Sequence, residues 1–351
     1  MSHLLARVLQ DAGRTSELFT TPDGTRLLLL PYGARMLGLF AADNEENFLW
    51  TNPALEKVET ARELFAGSGW HNTGGDRTWI GPELDTFYRD AHATQYWQPR
   101  ELDMSDYAVE RIGGGCQLSR EMTLHLTRPN CDVSLRLTKW FGPAANPIRH
   151  QRDLAAAVGK VEYAGYTERV TLESLDAGIA GPQALGTWNL LQLPPGGELF
   201  VPLYARSEPQ RCFGDVPPES LILEDHMLRV KINFPGSHKL AVKAAVLCGR
   251  AGYVYGSGDR WCLVARNFSV NPSGAYVDVQ RQDPADFGYC FQTCRVDEVD
   301  FGSFCELEYH APALGALPDP ARSEDVSQVW AFRGPRMAID AIAHTLLGAR
   351  L

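Results

Sequence analysis

The feature that most constrains this chain is a side-chain period of two, repeated in many short segments. Leu118, Met122, Leu124 and Leu126 share one parity, while Ser119, Glu121, Thr123 and His125 take the other. Val133, Leu135 and Leu137 repeat the pattern after the turn signal Pro129-Asn130. Further runs follow at Val170/Leu172, Leu228/Val230/Ile232/Phe234 and Leu240/Val242/Ala244/Val246. Successive side chains of a strand point to opposite faces, so each run reads as a half-buried strand. Turn clusters such as Gly113-Gly114-Gly115, Pro194-Pro195-Gly196-Gly197 and Asn271-Pro272-Ser273-Gly274 separate them. This pattern specifies an all-β fold, a large antiparallel sandwich or barrel. No Gly-rich strand-to-helix phosphate loop and no β-α-β alternation occur.

Helical spacing is confined mainly to the ends. Ser2 is placed to cap a short helix through Leu4, Leu5, Val8 and Leu9. Behind Pro335, Met337, Ile339, Ile342, Leu346 and Leu347 form an apolar stripe that predicts a helix at about 335–349. A third helical segment, Ala54 to Phe65, has a weaker pattern. Pro202 to Pro218 reads as an irregular surface excursion, and Asp319 to Asp325 as a linker beyond the last strand. Without repeats or low-complexity segments, residues 1–351 read as one β domain. The terminal helices either pack on it or offer a homodimer contact.

Charge narrows the partners. The chain has 33 Lys+Arg against 43 Asp+Glu, a formal net charge of −10. With no basic cluster, it is a poor match for nucleic acid or an anionic membrane. The longest aliphatic run, Leu27 to Leu30, is far short of the roughly 20 residues that span a bilayer. The first fifteen residues lack the continuous apolar region and cleavage site of a secretory signal. Eight scattered cysteines with no C-x-x-C then read as reduced, and the expected setting is cytoplasmic.

The densest chemistry lies between Gly69 and Glu83. Trp70, His71, Asn72, Asp76, Arg77, Trp79 and Glu83 share this segment with Gly69, Gly74, Gly75 and Gly81. Glycines let a loop fold tightly and aim side chains into a cleft. Trp faces suit the C–H faces of a pyranose, and Asp, Arg, Asn and Glu suit its hydroxyls. The plain alternative is a tryptophan corner in which Asp76 and Arg77 cap each other at a sheet edge. His71, Asp76 and Glu83 could ligate a metal, but no spacing enforces it, so neither metal nor cofactor is assigned.

A second segment, Phe304 to Pro312, puts Glu306, Glu308 and His310 on one strand face. Neighbouring carboxylates shielded from water raise at least one pKa, and a histidine beside them can exchange protons near neutral pH. The alternative is an ordinary charged, solvated face. In Ala184 to Leu193, Trp188 and Asn189 are the residues that would face a cleft, with core packing as the alternative.

Three stretches together resemble the galactose mutarotase-like (aldose 1-epimerase-like) superfamily: Tyr32 to Leu39 with Asn47-Phe48-Leu49-Trp50, Gly74-Gly75-Asp76-Arg77 ending in Trp79 and Glu83, and Cys305-Glu306-Leu307-Glu308. The likeness runs over roughly residues 30 to 312, nearest to the divergent outer branches. It implies a β-supersandwich with a carbohydrate cleft, small-molecule sugar ligands, and a C-terminal glutamate base at Glu306 or Glu308. It also offers His71 as a family histidine. The mid-chain histidine that serves as acid has no counterpart, because that neighbourhood reads Thr187-Trp188-Asn189. Three functions follow as alternatives. One is an epimerase-like enzyme with Glu306 or Glu308 as base and His71 or His310 as acid. The second is a sugar-binding or sensing protein without catalysis. The third is another acid/base reaction such as uronic-acid β-elimination, with Arg77 pairing the substrate carboxylate.

Overall fold

A computed structural model describes residues 4–90, 92–152, 154, 161–176, 184–278, 286, 288–299, 301–314 and 322–351. Nineteen strands occur among them, in chain order β1 (Glu17–Thr20), β2 (Arg26–Leu30), β3 (Arg35–Phe40), β4 (Asp76–Gly81), β5 (Ala108–Ile112), β6 (Gly115–Leu126), β7 (Cys131–Pro143), β8 (Glu162–Ser174), β9 (Gly186–Leu193), β10 (Glu198–Pro202), β11 (Gln210–Phe213), β12 (Leu221–Leu223), β13 (Met227–Lys231), β14 (His238–Val242), β15 (Arg250–Ser257), β16 (Arg260–Phe268), β17 (Phe291–Glu298), β18 (Gly302–His310) and β19 (Arg322–Gly334). They form two antiparallel sheets. The first has nine strands in the order β1-β2-β3-β4-β9-β18-β17-β14-β11, and the second has ten in the order β12-β13-β10-β15-β16-β19-β8-β7-β6-β5. The all-β sandwich read from the alternation is therefore the fold observed.

Alternation decides which side chains meet. Leu118, Leu124, Leu135, Leu137, Val170 and Leu172 of the second sheet are buried against Leu27, Leu29, Leu191, Leu193 and Leu307 of the first. The outer faces are covered unequally. Helix α1 (Leu4–Asp11) and helix α2 (Val58–Ala66) pack Val8, Leu9 and Ala61 on Leu28, Leu30 and Phe40. Short helices α3 (Glu83–Thr86) and α4 (Arg100–Asp103) follow β4. Helix α5 (Arg336–Leu347) lays Ile339, Ile342, Leu346 and Leu347 on Phe200, Leu263 and Phe332 of the second sheet. The C-terminal helix thus packs on its own chain. No described helix is long and apolar enough to cross a membrane.

Several sequence expectations need correction. The segment holding Asp76 to Gly81 is not a loop but β4, central in the first sheet. Its entrance requires glycine. Gly74 and Gly75 have φ of +97° and +78°, and a Cβ on either would lie 2.4 Å from the Trp50 or Met36 carbonyl oxygen. Pro202 to Pro218 contains an edge strand, β11. The linker assigned to Asp319–Asp325 lies partly outside the described residues. From Arg322 onward the chain is β19, paired on both sides by β16 and β8. Its inward positions begin with Asp325 and Ser327, so polar residues hide the alternation there. The run from Leu240 ends as a strand at Val242, and Ala244–Val246 form a 3-10 turn, consistent with the low strand preference of two successive alanines. The proposed third helix is a 3-10 turn, Pro53–Glu56, followed by α2. The cap assigned to Ser2 falls outside the described residues.

Candidate active site

The outer face of the first sheet forms the floor of a cleft over β4, β9, β18, β17 and β14, and the pairing registers fix what it carries. One row across the strands reads Gln192, Glu306, Cys294, Lys239. The next reads Arg77, Leu190, Glu308, Gln292. A third reads Trp79, Trp188, His310. A cleft of about 360 Å³ lies over these rows, lined by Arg77, Glu83, Lys239, Glu306 and Glu308. Its walls include Trp70, Tyr88, Tyr96, Phe213, Phe301 and Phe304.

Each carboxylate has its own cation. Arg77 Nη2 lies 2.9 Å from Glu306 Oε1, which also accepts from Gln192 Nε2 at 3.2 Å. Lys239 Nζ lies 3.7 Å from Glu308 Oε2 and 3.6 Å from Glu83 Oε2. Trp188 Nε1 donates to Glu308 Oε2 at 2.7 Å. Glu308 Oε1 is buried and has no hydrogen-bond partner among the described residues.

Burial decides the protonation states. It pushes Glu308 up to about 8, against the pull of Lys239 and with the help of the neighbouring Glu306 charge. Burial thus favours the neutral form of Glu308. Lys239 is held above the usual lysine range because Glu308, Glu83 and Asp278 outweigh its burial.

The two tryptophans of the third row do not present open faces to a ligand. Arg77 sits 4.1 Å over the Trp79 ring and Phe87 lies 4.4 Å from it. Lys239 sits 4.2 Å over Trp188, and His310 stacks on that indole at 5.4 Å and 16°. These indoles hold the two cations in place by cation–π contact. Trp79 and Trp188 thus line the cleft with cations over their rings, and the outer aromatic walls carry the freer faces.

Other sequence-selected residues lie elsewhere. His71 is buried, with Nδ1 2.7 Å from Tyr32 Oη and Nε2 2.8 Å from the Gly67 carbonyl. The carbonyl only accepts, so Nε2 carries the proton, both ring nitrogens are engaged, and the ring does not line the cleft. Burial also lowers its pKa, which further disfavours an acid role. His310 follows Glu308 on the same face but is covered by Trp188, and burial pushes it down to about 4. Asn72 donates to the Phe301 carbonyl at 3.0 Å and so supports a wall from behind.

Asp76 and Asn189 point to the interior instead. Asp76 accepts from Tyr166 at 2.5 Å and pairs with Arg266 at 3.1 Å, while Asn189 accepts from Thr78 at 2.7 Å. The mutual capping of Asp76 and Arg77 is thereby replaced by two separate pairs on opposite faces of β4. Sequence reasoning missed Lys239, Cys294 and Phe213. Lys239 alternates with Leu240, but a single lysine on a strand gives no signal of its own.

The Cys294 sulfur and one oxygen each of Glu306 and Glu308 lie within 4.8 Å of one another. This donor set fits a divalent metal poorly. Two fixed cations already face the carboxylates, and burial pushes the Cys294 thiol well up, away from the thiolate that binds metals. His71, Asp76 and Glu83 do not converge, so they form no metal site either.

No family model and no curated protein matches the chain. Among solved structures, a galactose mutarotase-like protein from Lactobacillus casei superposes with a TM-score of 0.44 at 12% identity, covering 91% of this chain and 99% of that one. A 4-alpha-glucanotransferase from Thermococcus litoralis superposes at 0.37 and 12%, covering 90% of this chain and 37% of that one.

Proposed function

We propose that the chain is an aldose 1-epimerase-like enzyme that exchanges sugar anomers, with Glu306 as base and Glu308 as acid. The observation that carries this reading is the division of labour between the two carboxyls. Glu306 is ion-paired to Arg77 at 2.9 Å, while Glu308 lies farther from its cation, Lys239, at 3.7 Å, has Oε1 unpartnered and is pushed by burial towards its neutral form. Oε2 is occupied by the Trp188 N–H, so the exchangeable proton belongs on Oε1. Environments that drive two nearby carboxyls apart in this way assign one as acid and the other as base.

In the reaction, Glu306 takes the proton of the anomeric hydroxyl while Glu308 gives its proton to the ring oxygen. The C1–O5 bond breaks, leaving an open-chain aldehyde. Rotation about C1–C2 presents the other carbonyl face, and reclosure returns both protons. The acid missing from the mid-chain position is supplied by Glu308, and Trp188, in the place of that histidine, orients it. Uronate elimination is less well supported, because Arg77 is committed to Glu306 and Trp79. Eight free cysteines support a reducing, cytoplasmic setting.

Anomer exchange measured by NMR on a panel of aldoses tests the proposal. The wild type should exceed the spontaneous rate, and Glu306→Gln and Glu308→Gln should each lose about 10²- to 10⁴-fold in kcat. Sugar binding without acceleration would make this a binding protein. The same two variants would then keep most of their affinity.

A further inference from the structure

The cleft does not end at the carboxylates. A second compartment of about 280 Å³ shares the side chains Trp70, Tyr96 and Phe301 with it. We propose that this compartment holds a second pyranose ring, so that the substrate is a reducing disaccharide rather than a free monosaccharide. This inference rests on reading the cleft as a sugar site.

Trp97 carries the argument. It lines the second compartment and also a separate pocket of about 440 Å³. Arg89 lies 3.6 Å over its ring and lines only that other pocket. Arg89 does not line the second compartment, so the part of the indole that lines it is left for a ligand. Trp97 and Tyr96 keep 38% and 44% exposure, so both rings retain surface that a ligand can cover. An aromatic plane beside polar donors suits the apolar C–H face and hydroxyl edge of a sugar ring. Ser68 and Arg100 supply such donors at this compartment.

The walls are preorganised by one buried carboxylate. Asp103, paired with Arg35 at 2.8 Å, accepts from Trp70 Nε1 at 2.5 Å and from Gln98 Nε2 at 3.3 Å. Gln98 Oε1 in turn accepts from Tyr96 Oη at 2.8 Å. Trp70 and Tyr96, which line both compartments, are thus fixed from behind and lose little entropy on binding. Glu306 and Glu308 line only the first compartment. The orientation follows: the reducing unit places its anomeric carbon at the carboxylates, and the non-reducing unit stacks on Trp97.

Calorimetric affinities and NMR anomer exchange for maltose, cellobiose and lactose, each against glucose, test this directly. All three disaccharides end in a reducing glucose, so the ratio of disaccharide to glucose isolates the second ring. At least one should bind about tenfold tighter than glucose, as expected for one well-packed aromatic contact. Trp97→Ala should bring that ratio towards one. Ser68→Trp, which fills the compartment from its exposed rim, should do the same by a different route. A wild-type ratio near one for all three, or a ratio that neither variant changes, overturns the proposal, as does binding of no sugar at all. A preserved ratio without accelerated exchange refutes the catalytic reading but keeps the second compartment. Equal acceleration of glucose and disaccharides with equal affinities refutes the compartment but keeps the catalysis.

Discussion

Burial at the floor of the cleft strips water from Glu308, while Glu306 sits two residues along the same strand face. Both effects hold the proton on Glu308, to about 8. Activity that depends on this acid should fall as pH rises through about 8, a limb that a pH–rate profile of kcat/KM reads directly. Lys239 opposes the shift, since a neighbouring cation favours the carboxylate. Lys239→Met should therefore move the alkaline limb upward, and an unmoved or lowered limb would contradict the assigned contact. The linkage to stability has a definite sign. Between the ordinary glutamate value of 4.5 and about 8, the folded protein holds a proton at Glu308 that the unfolded chain has lost. Stability contributed by this group therefore decreases as pH rises across that window. Relative to wild type, Glu308→Gln should gain stability from pH 5 to pH 8 in matched urea titrations.

At the scale of elements, β4, β9 and β18 each carry two chemistries on opposite faces. Their outward residues form the cleft, while inward Asp76 and Tyr309 join a buried polar network. Arg266 bridges Asp76 at 3.1 Å and Glu168 at 2.6 Å, Lys139 pairs with Glu168 at 3.1 Å, and Tyr309 donates to Asp325 at 2.5 Å. This network joins the two sheets beneath the rows that floor the cleft. Arg266→Met takes the cation from Asp76 and leaves Glu168 with Lys139 alone, and the expected cost is about 3–5 kcal/mol, read as a lower denaturant midpoint.

The same network explains what the sequence concealed. Where inward positions were apolar, as in Leu118 to Leu126 and Val133 to Leu137, period two alone located the strands. In β19 the inward Asp325 and Ser327 imitate a linker, and in β11 four residues at a sheet edge carry too little pattern to register. The facing of Glu306, Glu308 and His310 was legible, because parity is local. That Trp188 shields His310, and that the Trp79 and Trp188 faces are already occupied, depends on cross-strand register, which spacing within one segment does not encode.

Across the whole molecule, the outer faces of the sheets are divided between helices and cleft. Helices α1 and α2 cover the β1–β3 end of the first sheet, α5 covers β10, β15, β16 and β19 of the second, and the cleft floor between β4 and β14 holds the charges. The C-terminal helix matters here as a cover, because its removal would expose Phe200, Leu263 and Phe332 to water. Ile342 is fully buried in that seam, and Ile342→Ala should cost about 2–5 kcal/mol, measured by thermal unfolding. Little change would mean that α5 is not held against the sheet in solution.

The central claim is that one glutamate of this cleft is a neutral acid at physiological pH. A carbon-13 NMR titration of the glutamate side-chain carboxyls, with Glu308 assigned by the signal lost in Glu308→Gln, tests it most directly. A midpoint near 8 is expected for that signal. A midpoint among the exposed glutamates, at about 4.3, would contradict it and leave the cleft without its acid.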